Sequence, residues 1–126
     1  MKFEENHPPR KFTVGAREQV TIKDCGRVSL EPDEQITFLT ESGAEYDVTR
    51  KDWGFYATPS LNGRLSNFGL KGVLIKNRGT SRYFVLLVEE GKNAQFEDYC
   101  AVENLMVVAW LDSDGSLSQI EAITLS

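Results

Sequence analysis

Apolar and polar side chains alternate along much of the first half of the chain. Val20 and Ile22, Val28 and Leu30, Ile36 and Phe38, and Tyr46 and Val48 recur with a period of two, the spacing of a strand with one face covered and one face wet. Asp24-Cys25-Gly26, Glu31-Pro32-Asp33 and Glu41-Ser42-Gly43 separate these pairs. Each supplies residues that adopt turn dihedrals at little cost, so the pattern predicts four short antiparallel strands.

The second half reads differently. Residues 83–88 and 105–111 are continuous apolar runs, the pattern of central strands covered on both sides. Between them, residues 92–104 place Phe96, Tyr99 and Cys100 at helical spacing, with Glu97, Asp98 and Glu103 elsewhere on the wheel. That spacing predicts an amphipathic helix lying over one sheet face. Val73-Leu74-Ile75 precedes the first run across a short Gly-containing connection, the length of a hairpin loop. A strand–helix–strand crossover makes the strands it joins parallel when they share a sheet, with a right-handed connection.

The expected fold class is therefore α+β. It is a single domain with a mixed, mostly antiparallel sheet and one principal helix at about 92–104, in a strand–loop–strand–helix–strand unit. Residues 1–10, with Glu4, Glu5 and Pro8-Pro9, read as a flexible N-terminal arm. Residues 11–126 form the domain, with 112–126 as a loosely ordered tail. A chain of 126 residues has room for one hydrophobic core.

Composition narrows the function classes. The formal charge of −5 weighs against nucleic acid, because affinity for a phosphate backbone comes mainly from Lys and Arg displacing counterions. Lys71, Lys76, Arg78 and Arg82 gather around one hairpin and read as its solvated rim. No window has the apolar length of a membrane span, and the first residues lack the apolar core of a secretory signal. A cytoplasmic protein is expected. Cys25 and Cys100 fit neither a redox pair nor a zinc site, and two reduced thiols suit that compartment. No metal or cofactor is implied.

The segment with the most chemistry spans residues 50–70. It interleaves Trp53, Phe55, Tyr56 and Phe68 with Asp52, Asn62, Arg64 and Asn67. Stacking surfaces beside amide, guanidinium and carboxylate groups suit a small polar ligand, so Asp52, Trp53, Tyr56, Asn62, Arg64 and Asn67 are the candidate ligand-binding residues. A competing reading takes the segment as core: Ser60 caps a short helix, Leu61, Leu65 and Phe68 share a face, and Gly69 ends it.

No catalytic residue is assigned. His7 is the sole histidine and falls in the expected arm, away from any triad. Asp47 and Asp52 are the carboxylates nearest the aromatic segment. Neither glycine-rich phosphate motif is present. Asp112-Ser113-Asp114-Gly115 with Glu121 imitates the later half of a calcium loop, but Trp110 stands where the first ligand would be, and a plain turn is expected.

Three functions follow. The first is a non-enzymatic binding or accessory protein that takes a small polar ligand or a protein through residues 50–70. The second is a small enzyme acting on a sugar or nucleotide-sugar by carboxylate acid–base chemistry, with Arg64 holding a phosphate. The third is a homodimer joined along an edge strand at about 35–40.

Overall fold

The structure is a computed structural model that describes residues 1–15 and 17–125. Three antiparallel sheets follow one another along the chain. The first is a long two-stranded ribbon of β1 (Lys2–Val14) and β2 (Val20–Ser29). The second is a meander of β3 (Gln35–Leu39), β4 (Glu45–Lys51) and β5 (Gly54–Ala57), in the order β3-β4-β5. A short helix, α1 (Arg64–Asn67), leads into the third. That sheet has the order β7-β6-β8, from β6 (Leu70–Asn77), β7 (Arg82–Glu89) and β8 (Leu105–Trp110). Helix α2 (Asn93–Glu103) joins β7 to β8, and α3 (Asp114–Leu125) follows β8.

The α+β class stands, with three sequence expectations revised. Residues 2–10 belong to β1 and are not a loose arm. Phe3 pairs with Val28, Phe12 with Ile22 and Val14 with Val20. The prolines are accommodated by a bulge: Glu5 pairs with Gly26 and Arg10 with Asp24, so residues 6–9 stand opposite Cys25 alone. A bulge is where proline costs a sheet no ladder bond. Asp24-Cys25-Gly26 accordingly lies within β2 and turns nothing, and two of the four expected strands are one.

The tail is also revised, because residues 114–125 form a helix. Ser113 accepts the Ser116 N–H on its hydroxyl at 3.1 Å, satisfying one of the free donors of the first turn. The Asp114 carboxylate accepts from the Asn62 amide at 2.7 Å.

The third revision concerns the apolar runs. β7 and β8 both pair antiparallel with β6. They therefore run parallel to one another, as the crossover requires, but β6 lies between them, and among the described residues no adjacent pair of strands is parallel. The central strand is β6, where Val73 and Ile75 are essentially inaccessible. The runs are edges, and Tyr83, Phe84, Val85, Met106, Val107 and Val108 are exposed.

Among the described residues two small cores tie β4, α1 and α2 to the third sheet, and neither includes a side chain of the ribbon or of α3. Val73, Ile75 and Val88 pack with Leu86, Phe96, Leu105 and Trp110. Phe96 is the side chain that fastens α2, meeting Trp110 edge-on with ring centroids 5.7 Å apart, a favoured aromatic geometry. Tyr99, expected on the same buried face, is exposed. Ala44, Leu65 and Leu70 form the second core, against Tyr46 and Leu87. Leu65 pins α1 between the meander and the third sheet. Backbone bonds from Glu45 to Phe68 and from Glu90 to Gly69 continue that junction.

Candidate functional site

The six candidate residues do not gather at one place. Asp52 and Trp53 form the two-residue turn between β4 and β5, whose closing pair is Lys51 and Gly54. Trp53 is 73% exposed. Tyr56 lies on β5 opposite Thr49 and is also exposed. Asn62 is engaged with Asp114. Asn67 borders an open cavity of about 390 Å³ with Ser42, Glu89 and Lys92.

Arg64 is tied to the fold although half of its side chain is exposed. Its Nη2 donates to Asp47 Oδ2 at 2.9 Å, and its guanidinium lies over the Phe68 ring at 5.1 Å. Thr37 donates to the other carboxylate oxygen of Asp47 at 2.6 Å. Asp47 is the buried charged residue of the meander, and buried carboxylates are found paired in this way. The sugar-enzyme reading asks for Asp47 or Asp52 beside Arg64 around a concave pocket. Asp47 does meet Arg64, but both of its oxygens are committed to the fold, and Asp52 is on the β4–β5 turn.

The core reading of residues 60–69 has more support. Ser60 Oγ accepts the Arg64 N–H at 2.9 Å, Leu65 is buried, and Gly69 leaves the helix at φ 83° with its N–H bonded to the Ser66 carbonyl. Positive φ is what glycine supplies at a helix end. The basic residues of the third sheet are partly taken up as well. Lys71 lies over the Trp110 ring and Lys76 over the Tyr83 ring, at 4.9 and 5.4 Å.

What does converge is apolar. β2, the meander and Leu30 of the segment between them enclose an open groove of about 430 Å³ lined by Val28, Leu30, Ile36, Phe38, Val48 and Phe55. The period-two pattern explains it. Ile36 pairs with Val48, and Val48 with Ala57, so the even-numbered residues of β3 and β4 share one face with Phe55 and Ala57 of β5. Asp47 and Thr37 point to the other face, toward α1. Arg50 ties the ribbon's base to the meander, donating from Nη1 to the Leu30 carbonyl at 3.1 Å and from Nε to the Lys51 carbonyl at 2.8 Å. The groove continues past Val28, Leu30 and Phe55 to Asp52 and Trp53.

Of the six sequence candidates, Asp52 and Trp53 thus border this groove. Its lining was visible as the apolar face of expected strands; the sequence carried no sign that the face is left open. Among the described residues, no cluster of His, Cys, Asp and Glu is arranged to hold a metal ion, and no helix is long and apolar enough to cross a membrane. Comparison with protein-family models, curated protein sequences and solved structures gives no match to this chain.

Proposed function

We propose that this chain is a non-catalytic binding module that docks a protein surface, presenting aliphatic and aromatic side chains, in the groove between the ribbon and the meander. The observation that carries the reading is the lining itself. Six apolar side chains from separate strand segments face one open groove, and Phe38 and Phe55 remain 54% and 66% exposed. A site for a small polar ligand has a few fixed polar groups converging on it; here Arg50 is spent on carbonyl oxygens and Asp52 stands at the border. Exposed apolar surface of this kind is the usual mark of a protein contact. A cytoplasmic setting belongs to the same reading, supported by the two free thiols of Cys25 and Cys100.

The test is a photo-cross-linking side chain placed at position 55 of the full chain, expressed in cells. A discrete protein–protein adduct is expected from position 55, and none from position 80 in the exposed β6–β7 turn. Stabilisation by sugars or nucleotides in a thermal-shift screen, without an adduct, would reverse the assignment.

A further inference from the structure

We infer that the protein docked is a second copy of this chain, and that the two copies clasp each other through the apolar face of the β1–β2 ribbon. This rests on the reading that the apolar groove binds protein, and it names the partner.

The first support is the ribbon itself. Phe12, Val14, Val20 and Ile22 form two cross-strand pairs on one face, and alternation in β2 places Val28 on that face too, at the mouth of the groove. The opposite face carries Lys11, Thr13, Thr21, Lys23 and Arg27. The Arg10–Asp24 ion pair interrupts the apolar face, but the sidedness on either side of it is the pattern of a strand pair with one face buried. In the single chain its cover is partial: Val28 faces the meander across the groove and Val20 borders an open cavity with Tyr99, Ala101 and Val102 of α2, yet apart from Asn6, Pro9, Asp24 and Gly26 every residue of both strands is exposed, and among the described residues the ribbon joins no other sheet. Two-stranded ribbons are at best marginally stable in water, so the ribbon needs a surface against its apolar face.

The second support is area. A compact monomer of this mass, 14.2 kDa, exposes about 6,800 Å². This chain exposes 9178 Å², about 2,400 Å² more. A standard interface buries about 800 Å² on each partner, and obligate homodimers up to about 2,500 Å². The excess is shared among the ribbon, the outer strands of the third sheet and α3, and it leaves room for an interface of the obligate class.

The third support selects a like partner. Charge is segregated along the chain: residues 1–29 carry six basic and four acidic side chains, whereas residues 93–126 carry six acidic and no basic ones. Two such molecules attract when the ribbon of each approaches the acidic end of the other. A two-fold arrangement satisfies both copies at once.

Sedimentation of the full chain across a wide concentration range tests the inference. The mass of two chains is expected. Ile22→Glu, which sets a carboxylate in the apolar face, should weaken association about 100-fold, whereas Thr21→Gln on the polar face should leave it unchanged. Should Ile22→Glu fail to fold, the wild-type melting temperature decides: it rises with protein concentration for a clasped dimer. A single-chain mass throughout, a melting temperature independent of concentration, or a dimer indifferent to Ile22→Glu overturns the clasp. A monomeric chain that still cross-links to a different protein from position 55 refutes the second copy while the docking groove stands; a monomer with no adduct removes both.

Discussion

Arg64 reaches from α1 across to β4 and donates to the buried Asp47 carboxylate at 2.9 Å, opposite the 2.6 Å bond from Thr37. The two partners are unequal, since the side chain of Asp47 is 10% exposed and that of Arg64 52%. Removing the carboxylate leaves the Thr37 hydroxyl and the guanidinium without their acceptor. Asp47→Ala is therefore expected to cost about 2 kcal/mol. Arg64→Ala should cost less, about 1 kcal/mol, because water can solvate the carboxylate edge it uncovers. Urea denaturation of both single variants and the double variant measures the two losses and their coupling.

Trp53 and Leu65 lie in the same aromatic-rich segment and should behave in opposite ways. Leu65 is 1% exposed and Trp53 73%. Leu65→Ala opens a cavity in the core shared with Ala44 and Leu70 and should cost about 2–5 kcal/mol. Trp53→Ala should change stability by no more than about 0.5 kcal/mol and lower partner cross-linking from position 55. A large loss of stability from Trp53→Ala would show that its ring supports the fold.

That contrast also marks what the sequence could reveal. The helix over residues 93–103, the hairpin of β6 and β7 and the alternating strands of the meander rest on local periodicity, and periodicity is read directly from residue order. Strand neighbours are a different matter. An all-apolar run such as 105–110 is compatible with burial on both sides or with an edge whose open face awaits a partner, and the structure takes the edge. Likewise Pro8-Pro9 suggested disorder because a ladder has no place for them; a four-residue bulge opposite Cys25 provides one. Within residues 50–70 the polar groups attracted functional interest by their chemistry, yet Asn62 and Arg64 meet their partners 52 and 17 positions away. No local pattern records such contacts.

Glu89 connects the β3–β4 turn to the end of β7. Its Oε1 accepts from Thr40 at 2.9 Å and from the Ser42 hydroxyl, and these bonds, Ser42's first, hold its carboxyl below the ordinary glutamate range. A folded-state pKa below the unfolded one means that the stabilisation is fully present above the unfolded value, near pH 4.5, and is lost as pH falls through the folded value. The wild type should therefore lose stability as acid is added from that point downward. Glu89→Gln should show a shallower acid slope, measured by urea unfolding at successive pH values. Equal slopes for the two proteins would remove Glu89 from the account.

The two cysteines should differ in reactivity. Cys100 is half-buried on α2, and burial first, then the neighbouring Glu97, push its thiol above the ordinary range. Cys25 is exposed in the ribbon. Because the thiolate is the reactive form, iodoacetamide at mildly alkaline pH should alkylate Cys25 well before Cys100. Peptide mass spectrometry over a time course reads the order directly, and simultaneous modification would mean that α2 opens as fast as the reagent acts.

Gly26 sets the register at the ribbon's bulge, and its replacement tests whether that register matters. A Cβ at this position would stand 2.4 Å from the Glu4 carbonyl oxygen and 3.1 Å from the Phe3 ring, with φ at 155°. The carbonyl belongs to the paired strand, so relief requires the two strands to separate locally; a change of rotamer is not enough. Gly26→Ala should therefore unpair the ribbon between the bulge and its base, at a cost of about 1–3 kcal/mol. Hydrogen exchange should show protection lost at Arg27 and Val28 but retained in β6, whose core lies elsewhere. Because Val28 lines the groove and continues the ribbon's apolar face, the same substitution should weaken association of the two copies. An unchanged exchange pattern would mean that the ribbon tolerates a different register and that Gly26 is not its determinant.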